Sequence, residues 1–293
     1  MTQPINAPSN HVLSLPETAA RLLGLRAVLF DLDGVITPTA EIHMHAWSKL
    51  FSAYLESRGI AEPYTDDDYF AHIDGRPRYD GVRAMLASRG IELPEGSPSD
   101  APELETVCGL GNRKNTVFTA VLEEDGIAAY PGSLAFLDAV VDAGLEVAVV
   151  SSSKNAEVVL AAAGLRERFD VVMDGVVAAR EGIAGKPAPD TYVEAAHLLG
   201  FEPAECVVVE DAHSGVEAGR HGAFGLVLGV DRGIGAQVLL DAGADVVVDD
   251  LGELIDPLVD ARRTAGPDEP ADPRSPATAH TPAAPHELPE DQA

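Results

Sequence analysis

The stretch Ala27-Val28-Leu29-Phe30-Asp31-Leu32-Asp33-Gly34-Val35 sets a fully apolar run directly against two carboxylates and a glycine. Four consecutive apolar residues of this kind predict a strand buried on both faces, and such strands belong to parallel sheets covered by helices. Ligands of open α/β sheets bind outside the carboxyl ends of the strands, which is where Asp31 and Asp33 stand. Carboxylates two apart at that point can hold a divalent cation while the first attacks phosphorus and the second moves a proton. The plainer alternative is a turn in which Asp33 and Gly34 cap the strand. An EF-hand does not fit, because its loop needs glycine at position six, whereas Gly34 is fourth and Val35 fifth.

Further apolar runs recur at 145–150, 171–173, 206–209, 225–230 and 244–248, separated mostly by helical patterns. That alternation predicts a Rossmann-like doubly wound parallel sheet in the α/β class. The gap after the first run is far longer than one crossover helix requires, and 39–125 reads as several amphipathic helices without a strand. The expected organisation is an N-terminal appendage over 1–24 and a core over 25–38 and 129–263. An inserted α-helical cap over 39–128 and a disordered tail over 264–293 complete it. Seven of the 21 prolines fall in that tail with Leu288 as its one leucine, too little apolar surface to offset ordering.

The 293 residues carry a net charge of −28, so the average surface repels nucleic acid and anionic membranes. Any phosphorylated substrate must therefore be held by a few local cations or by a metal. Cys108 and Cys206 are too few and too far apart for a disulfide framework or zinc site, and read as reduced core residues. Neither a signal peptide nor an 18-residue apolar span is visible, so a cytoplasmic protein is expected.

Three further stretches end strands or open helices. Val149 to Asn155, with Ser151, Ser152 and Ser153, offers hydroxyls and free N–H groups at a helix start, as an anion site or as simple caps. A Ser151-x-x-Lys154 nucleophile is rejected because its companion motifs are missing. Lys186, between Gly185 and Pro187, is stiffened where an ammonium can neutralise a phosphoryl oxygen, although a loop lysine is commonly just solvated. Glu210 and Asp211 close another apolar run and can complete a hard-cation site or cap the next helix. Thr39, His43 and Trp47 are four apart and share a helix face, as core or as site. Gly109-Leu110-Gly111 and Gly233-Ile234-Gly235 fail as dinucleotide loops, with Lys114 and Val238 in the third glycine position, and no nucleotide cofactor is expected.

Taken in order, nucleophile, serine, lysine and acid pair resemble the four motifs of the haloacid dehalogenase superfamily over 26–254. The opening from Phe30 to Thr37, with Thr39-Ala40-Glu41, His43 and Trp47, is similar to that of the beta-phosphoglucomutase family, as are Ser153-Lys154-Asn155 and Ala184 to Asp190. Gly75-Arg76-Pro77-Arg78 and Arg113-Lys114-Asn115 resemble its substrate-gripping segments. The resemblance implies Asp31 as nucleophile and metal ligand, and Asp33 as general acid/base with its backbone on the metal. It implies a Mg²⁺ site completed by Glu210 and Asp211. Ser151 and Lys186 would hold the transferring phosphoryl group, with Ser152 and Asn155 nearby. Arg78 would grip the distal phosphate, Thr39, His43 and Lys114 would couple cap closure to Asp33, and Gly75 and Trp47 would also bind the substrate.

The implied reaction interconverts beta-glucose 1-phosphate and glucose 6-phosphate through an aspartyl-phosphate and a bisphosphate. A sugar-phosphate phosphatase is the alternative, and a non-catalytic protein would have lost residues that are all present. The expected partner is a small sugar phosphate, with no nucleic acid or membrane, bound by a monomer. Pro38 stands where the family commonly has Asp, Pro77 replaces a small polar residue, and 64–69 adds an acidic segment.

Overall fold

The computed structural model of the chain describes residues 12–265. Six strands, β1 (Ala27–Phe30), β2 (Glu146–Val150), β3 (Val171–Met173), β4 (Cys206–Glu210), β5 (Leu226–Val230) and β6 (Val246–Val248), form one sheet in the order β3-β2-β1-β4-β5-β6. Every pairing is parallel. The chain order turns back on either side of β1, and Phe30 lies level with Val149 on β2 and Val209 on β4. This register brings Asp31, Ser151 and Glu210 to one edge, at the point where the winding reverses.

Helices follow as α1 (Leu15–Leu23), α2 (Thr39–Ser57), α3 (Asp66–His72), α4 (Arg78–Ser88), α5 (Val107–Asp125), α6 (Pro131–Asp142) and α7 (Ala156–Ala162). The second half adds α8 (Gly175–Glu181), α9 (Asp190–Leu198), α10 (His213–His221), α11 (Ala236–Ala242) and α12 (Ile255–Ala265). Strand residues alternate between the two layers, as the two-residue period dictates. Val28, Phe30, Val149 and Val209 pack with Phe136 of α6, Leu160 of α7 and Leu258 of α12, whereas Ala27, Leu29, Val150 and Val208 pack with Tyr192 of α9, Val216 of α10 and Leu239 of α11. Phe30 meets Phe136 and Phe169 edge-on at 6.1 and 6.5 Å, contacts worth roughly 0.5–1.5 kcal/mol each beyond burial.

Helices α2 to α5 enclose a separate apolar cluster around Trp47, Phe51, Tyr54, Met85 and Leu110. The acidic stretch 64–69 opens α3: Asp66, Asp67 and Asp68 occupy its first turn, where the helix dipole favours them, and Arg89 donates to both Asp68 oxygens at 2.9 and 2.8 Å. Packing does not respect the 39–128 boundary, because Ala46, Phe118 and Leu122 join the main core.

The segment expected to stand apart as an N-terminal appendage is different. Helix α1 lies against α12, and its Ala19 and Leu22 are fully buried in the main core, so 15–23 is part of the core's packing. Its short, 9-residue pattern offers too few apolar positions to reveal that from sequence. Helix α12 runs to Ala265 and so takes in the first two residues assigned to the tail, while 266–293 lies outside the described residues. Cys108 and Cys206 are buried and unbridged. Among the described residues no helix is long and apolar enough to cross a membrane.

Candidate active site

A cleft of about 620 Å³ opens between the carboxyl edge of the sheet and helices α2 to α5. Asp31, Asp33, Glu210 and Asp211 line its floor, and Arg76, Arg78, Lys114 and Lys154 line the rest. A protein of charge −28 has here gathered the local cations that an anionic substrate needs.

On the floor, Lys186 is buried and its ammonium donates to Asp31 Oδ1 at 2.5 Å, Glu210 Oε1 at 2.6 Å and the Val150 carbonyl at 2.9 Å. Tyr192 donates to the same Glu210 oxygen at 2.9 Å, and its ring faces Lys186 at 4.8 Å. The other Glu210 oxygen accepts from the backbone N–H groups of Asp211 and Ala212, both at 3.1 Å. Burial works against the Lys186 charge, yet the Asp31 and Glu210 carboxylates outweigh it and raise its pKa. Burial raises Asp31, opposed by Lys186 and aided by the Glu210 and Asp33 charges. Asp211 is raised by burial and then by Asp74, Asp31 and Glu210.

Oxygens of Asp31, Glu210 and Asp211 all lie within 4.8 Å of one another. Three carboxylates against one lysine leave an excess of negative charge, and all-oxygen donors suit a hard divalent cation. The backbone makes room for the cluster: Gly34 has φ +89°, and a Cβ there would fall 1.8 Å from Asp211 Oδ2. The residues therefore fit a metal ion.

Asp33 points the other way. Its carboxylate accepts from the Thr39 hydroxyl and, at 3.1 Å, from Ser151 Oγ. His43 Nε2 lies 3.4 Å from Asp33 Oδ1, within ion-pair range but without hydrogen-bond alignment. His43 stacks on Phe118 at 4.1 Å and meets the buried Lys114 ammonium through Nδ1, with Lys114 also set over the Trp47 and Phe118 rings. Burial alone would raise Asp33, but His43, Thr39 and Lys114 together hold it at about 2. Burial and the Lys114 charge lower His43, and burial with the Arg78 charge lowers Lys114.

The loop carrying both aspartates is fixed one carbonyl at a time. Gly34 O accepts from Arg232 Nε at 2.7 Å, Val35 O from Ser133 Oγ at 2.6 Å and Ile36 O from the Tyr130 N–H at 2.9 Å. Arg232 also rests 3.9 Å over the Tyr130 ring.

The remaining residues named from sequence join the two sides of the cleft. Ser152 Oγ donates to Gly75 O at 2.8 Å. Arg78 donates to Asn115 Oδ1 at 2.7 Å, and Asn155 Nδ2 donates to the same oxygen at 2.8 Å. Trp47 belongs both to the apolar cluster and to the cleft wall. Asp33 alone among the four proposed cation residues keeps its side chain out of the acid triad. Sequence reasoning missed Asp74, whose carboxyl is raised to about 7 by burial and the Glu210 charge, and Tyr69, which lines the cleft beside it. It gave no site role to Lys154, set over the Tyr79 ring at 4.8 Å, and missed Tyr192, which reads as a core aromatic in α9. An acid before a glycine in the Asp74-Gly75 pair was the one local signal.

A carboxylate held by a lysine at the carboxyl edge of a doubly wound sheet, beside a cation-ready acid triad, defines a phosphoryl-transfer enzyme that works through an aspartate. The profile "haloacid dehalogenase-like hydrolase" matches residues 25–222. The beta-phosphoglucomutase of Mycobacterium tuberculosis (strain CDC 1551 / Oshkosh) is 50% identical over 253 residues, covering 82% of this chain and 97% of that one. That of Bacillus subtilis (strain 168) is 30% identical, covering 78% and 92%. The crystal structure of beta-phosphoglucomutase from Clostridium difficile superposes with a TM-score of 0.63 at 25% identity, over 82% of this chain and 98% of that one. The chain belongs to the haloacid dehalogenase superfamily and, within it, to the beta-phosphoglucomutase family.

Proposed function

We propose that this enzyme interconverts beta-D-glucose 1-phosphate and glucose 6-phosphate, with Mg²⁺ held by Asp31, Glu210, Asp211 and the backbone of Asp33. The observation that carries the reading is that one cleft holds two charged groups. Asp31, backed by the buried Lys186, belongs to one, and Arg76, Arg78 and Lys154 make up the other. A sugar bisphosphate must present each of its phosphates to Asp31 in turn while the other is held at a distance, and a cleft with both groups allows both orientations.

In one half-reaction an Asp31 oxygen attacks phosphorus, the bond from phosphorus to the sugar oxygen breaks, and protonated Asp33 gives that oxygen its proton. In the other, Asp33 as carboxylate takes the proton from a sugar hydroxyl while that oxygen attacks the aspartyl-phosphate and frees Asp31. The Lys186 ammonium stays beside Asp31 throughout and stabilises charge on the transferring oxygens. The cation, when bound, supplies further neutralisation of phosphoryl charge. A cap closed over the sugar keeps water from the aspartyl-phosphate.

The test is a single sample given beta-glucose 1-phosphate, Mg²⁺ and a glucose bisphosphate primer. Glucose 6-phosphate should form faster than inorganic phosphate is released, and EDTA should stop its formation. Phosphate release without glucose 6-phosphate would remove the mutase reading.

A further inference from the structure

Asp74 comes from the cap side of the cleft, just beyond α3, and the core holds it by its backbone. Its carbonyl accepts from Ser214 Oγ at 3.0 Å, and the next carbonyl, of Gly75, accepts from Ser152 Oγ at 2.8 Å. Gly75 permits this approach: its φ is +67°, and a Cβ there would fall 2.3 Å from Ser214 Oγ and 2.8 Å from the Ala212 Cβ. The loop thus rests on the turn that follows Glu210 and Asp211, and its carboxylate has little freedom to withdraw.

A second cavity, of about 470 Å³, adjoins the catalytic cleft, and Ala40, Tyr69, Asp74 and Asp211 line both. Asp74 and Asp211 therefore share one passage. The basic residue on the second cavity's wall, Arg232, is engaged with the Gly34 and Asp249 carbonyls and with the Tyr130 ring. Lys186 is likewise engaged with Asp31 and Glu210. Asp74 lies outside the triad whose oxygens fall within 4.8 Å of each other. A carboxylate fixed beside Asp211, but beyond the directly ligating set, is placed to accept hydrogen bonds from water around a bound cation, and Mg²⁺ keeps several such waters.

We propose that Asp74 is the cap's own contribution to the cation site, holding the hydrated ion from the cap side so that cation binding and docking of the 73–76 loop strengthen each other. The inference rests on the cation reading of Asp31, Glu210 and Asp211. By linkage, the factor by which the ion favours the docked loop equals the factor by which the docked loop tightens the ion.

Mn²⁺ is the probe, titrated by calorimetry into the wild-type chain, Asp74→Asn, Asp74→Ser and Asp211→Asn, with the fold of each checked by circular dichroism. Residues that hold metal-bound groups in place are worth about 10–100-fold in metal affinity, so both Asp74 variants should bind Mn²⁺ at least about tenfold more weakly. Hydrogen exchange of 73–76 should slow on adding Mn²⁺ to the wild type, and not in these variants. Affinities within about threefold of wild type in both Asp74 variants, or equal Mn²⁺ protection of the loop, would overturn the inference. Unweakened binding in Asp211→Asn would instead overturn the cation site itself.

Discussion

Asp31 and Asp33 are two residues apart on one fixed loop, yet they lie in opposite electrostatic settings. Asp31 faces the core floor, where burial and the Glu210 and Asp33 charges raise its pKa against the pull of Lys186. Asp33 faces the cap, where His43, Thr39 and Lys114 hold it down at about 2 against the effect of burial. Period-two geometry turns successive odd positions to one side only in a straight strand, and β1 ends at Phe30, before either aspartate. Two identical side chains thereby have different neighbours, Asp31 the lysine and the acid triad, and Asp33 the hydroxyl donors Thr39 and Ser151.

The largest effect should follow from Asp31→Asn. An amide neither attacks phosphorus nor pairs with Lys186 as an anion, so turnover should fall by on the order of 10⁴-fold or more. Mass spectrometry of the primed enzyme should find no phosphoryl adduct, and substantial residual activity would dissolve the proposed division of labour. Asp33→Ala keeps the nucleophile and loses the proton donor, for an expected drop of about 10²- to 10⁴-fold in kcat with the melting temperature nearly kept. A rate within about tenfold of wild type would take Asp33 out of acid/base work.

Arg78→Ala extends the contrast to the far end of the cleft. Removing one side of a charge pair shielded from water costs roughly 2 to 5 kcal/mol, so mutase flux should fall by at least about tenfold. Hydrolysis of acetyl phosphate, which has no distal phosphate, should change little. Equal loss of both activities would reassign Arg78 to holding Asn112 and Asn115.

The smallest effect concerns pH. Asp33 titrates at about 2 in the folded chain, below the ~3.9 of an unfolded aspartate, so its stabilising contacts are complete above about pH 4 and are lost as pH falls through about 2. Its side chain is 18% exposed, which keeps the contribution on the order of 1–2 kcal/mol. The difference in unfolding free energy between wild type and Asp33→Asn should be flat above about pH 4 and shrink below it. A difference independent of pH down to about 2 would contradict the electrostatic account.

All six strands were legible in the sequence, because each is a mainly apolar run, and the floor residues were legible because each lies at the end of a strand or in the loop just before a helix. Asp31, Lys186, Glu210 and Asp211 needed only position in a βα unit to be grouped. Asp74 was not legible, since its neighbour Asp211 is 137 positions away and the contact exists only once the cap lies on the core. Tyr192 looked like packing because it is packing, and its hydroxyl happens to end at Glu210. Helix α1 was misjudged because its three buried positions, Thr18, Ala19 and Leu22, carry no information about α12, the helix it covers.

The chain leaves the core beside Ile36 and re-enters it at Tyr130, and one hydrogen bond of 2.9 Å ties the two passages together. Thr39 and His43 follow the first passage, on α2, and Asp33 precedes it on the core loop. Without the Thr39 hydroxyl and the His43 imidazole, the proton affinity of Asp33 would rise from about 2 toward that of an ordinary aspartate in water. How α2 lies against the core and how readily Asp33 holds a proton are in this way one variable.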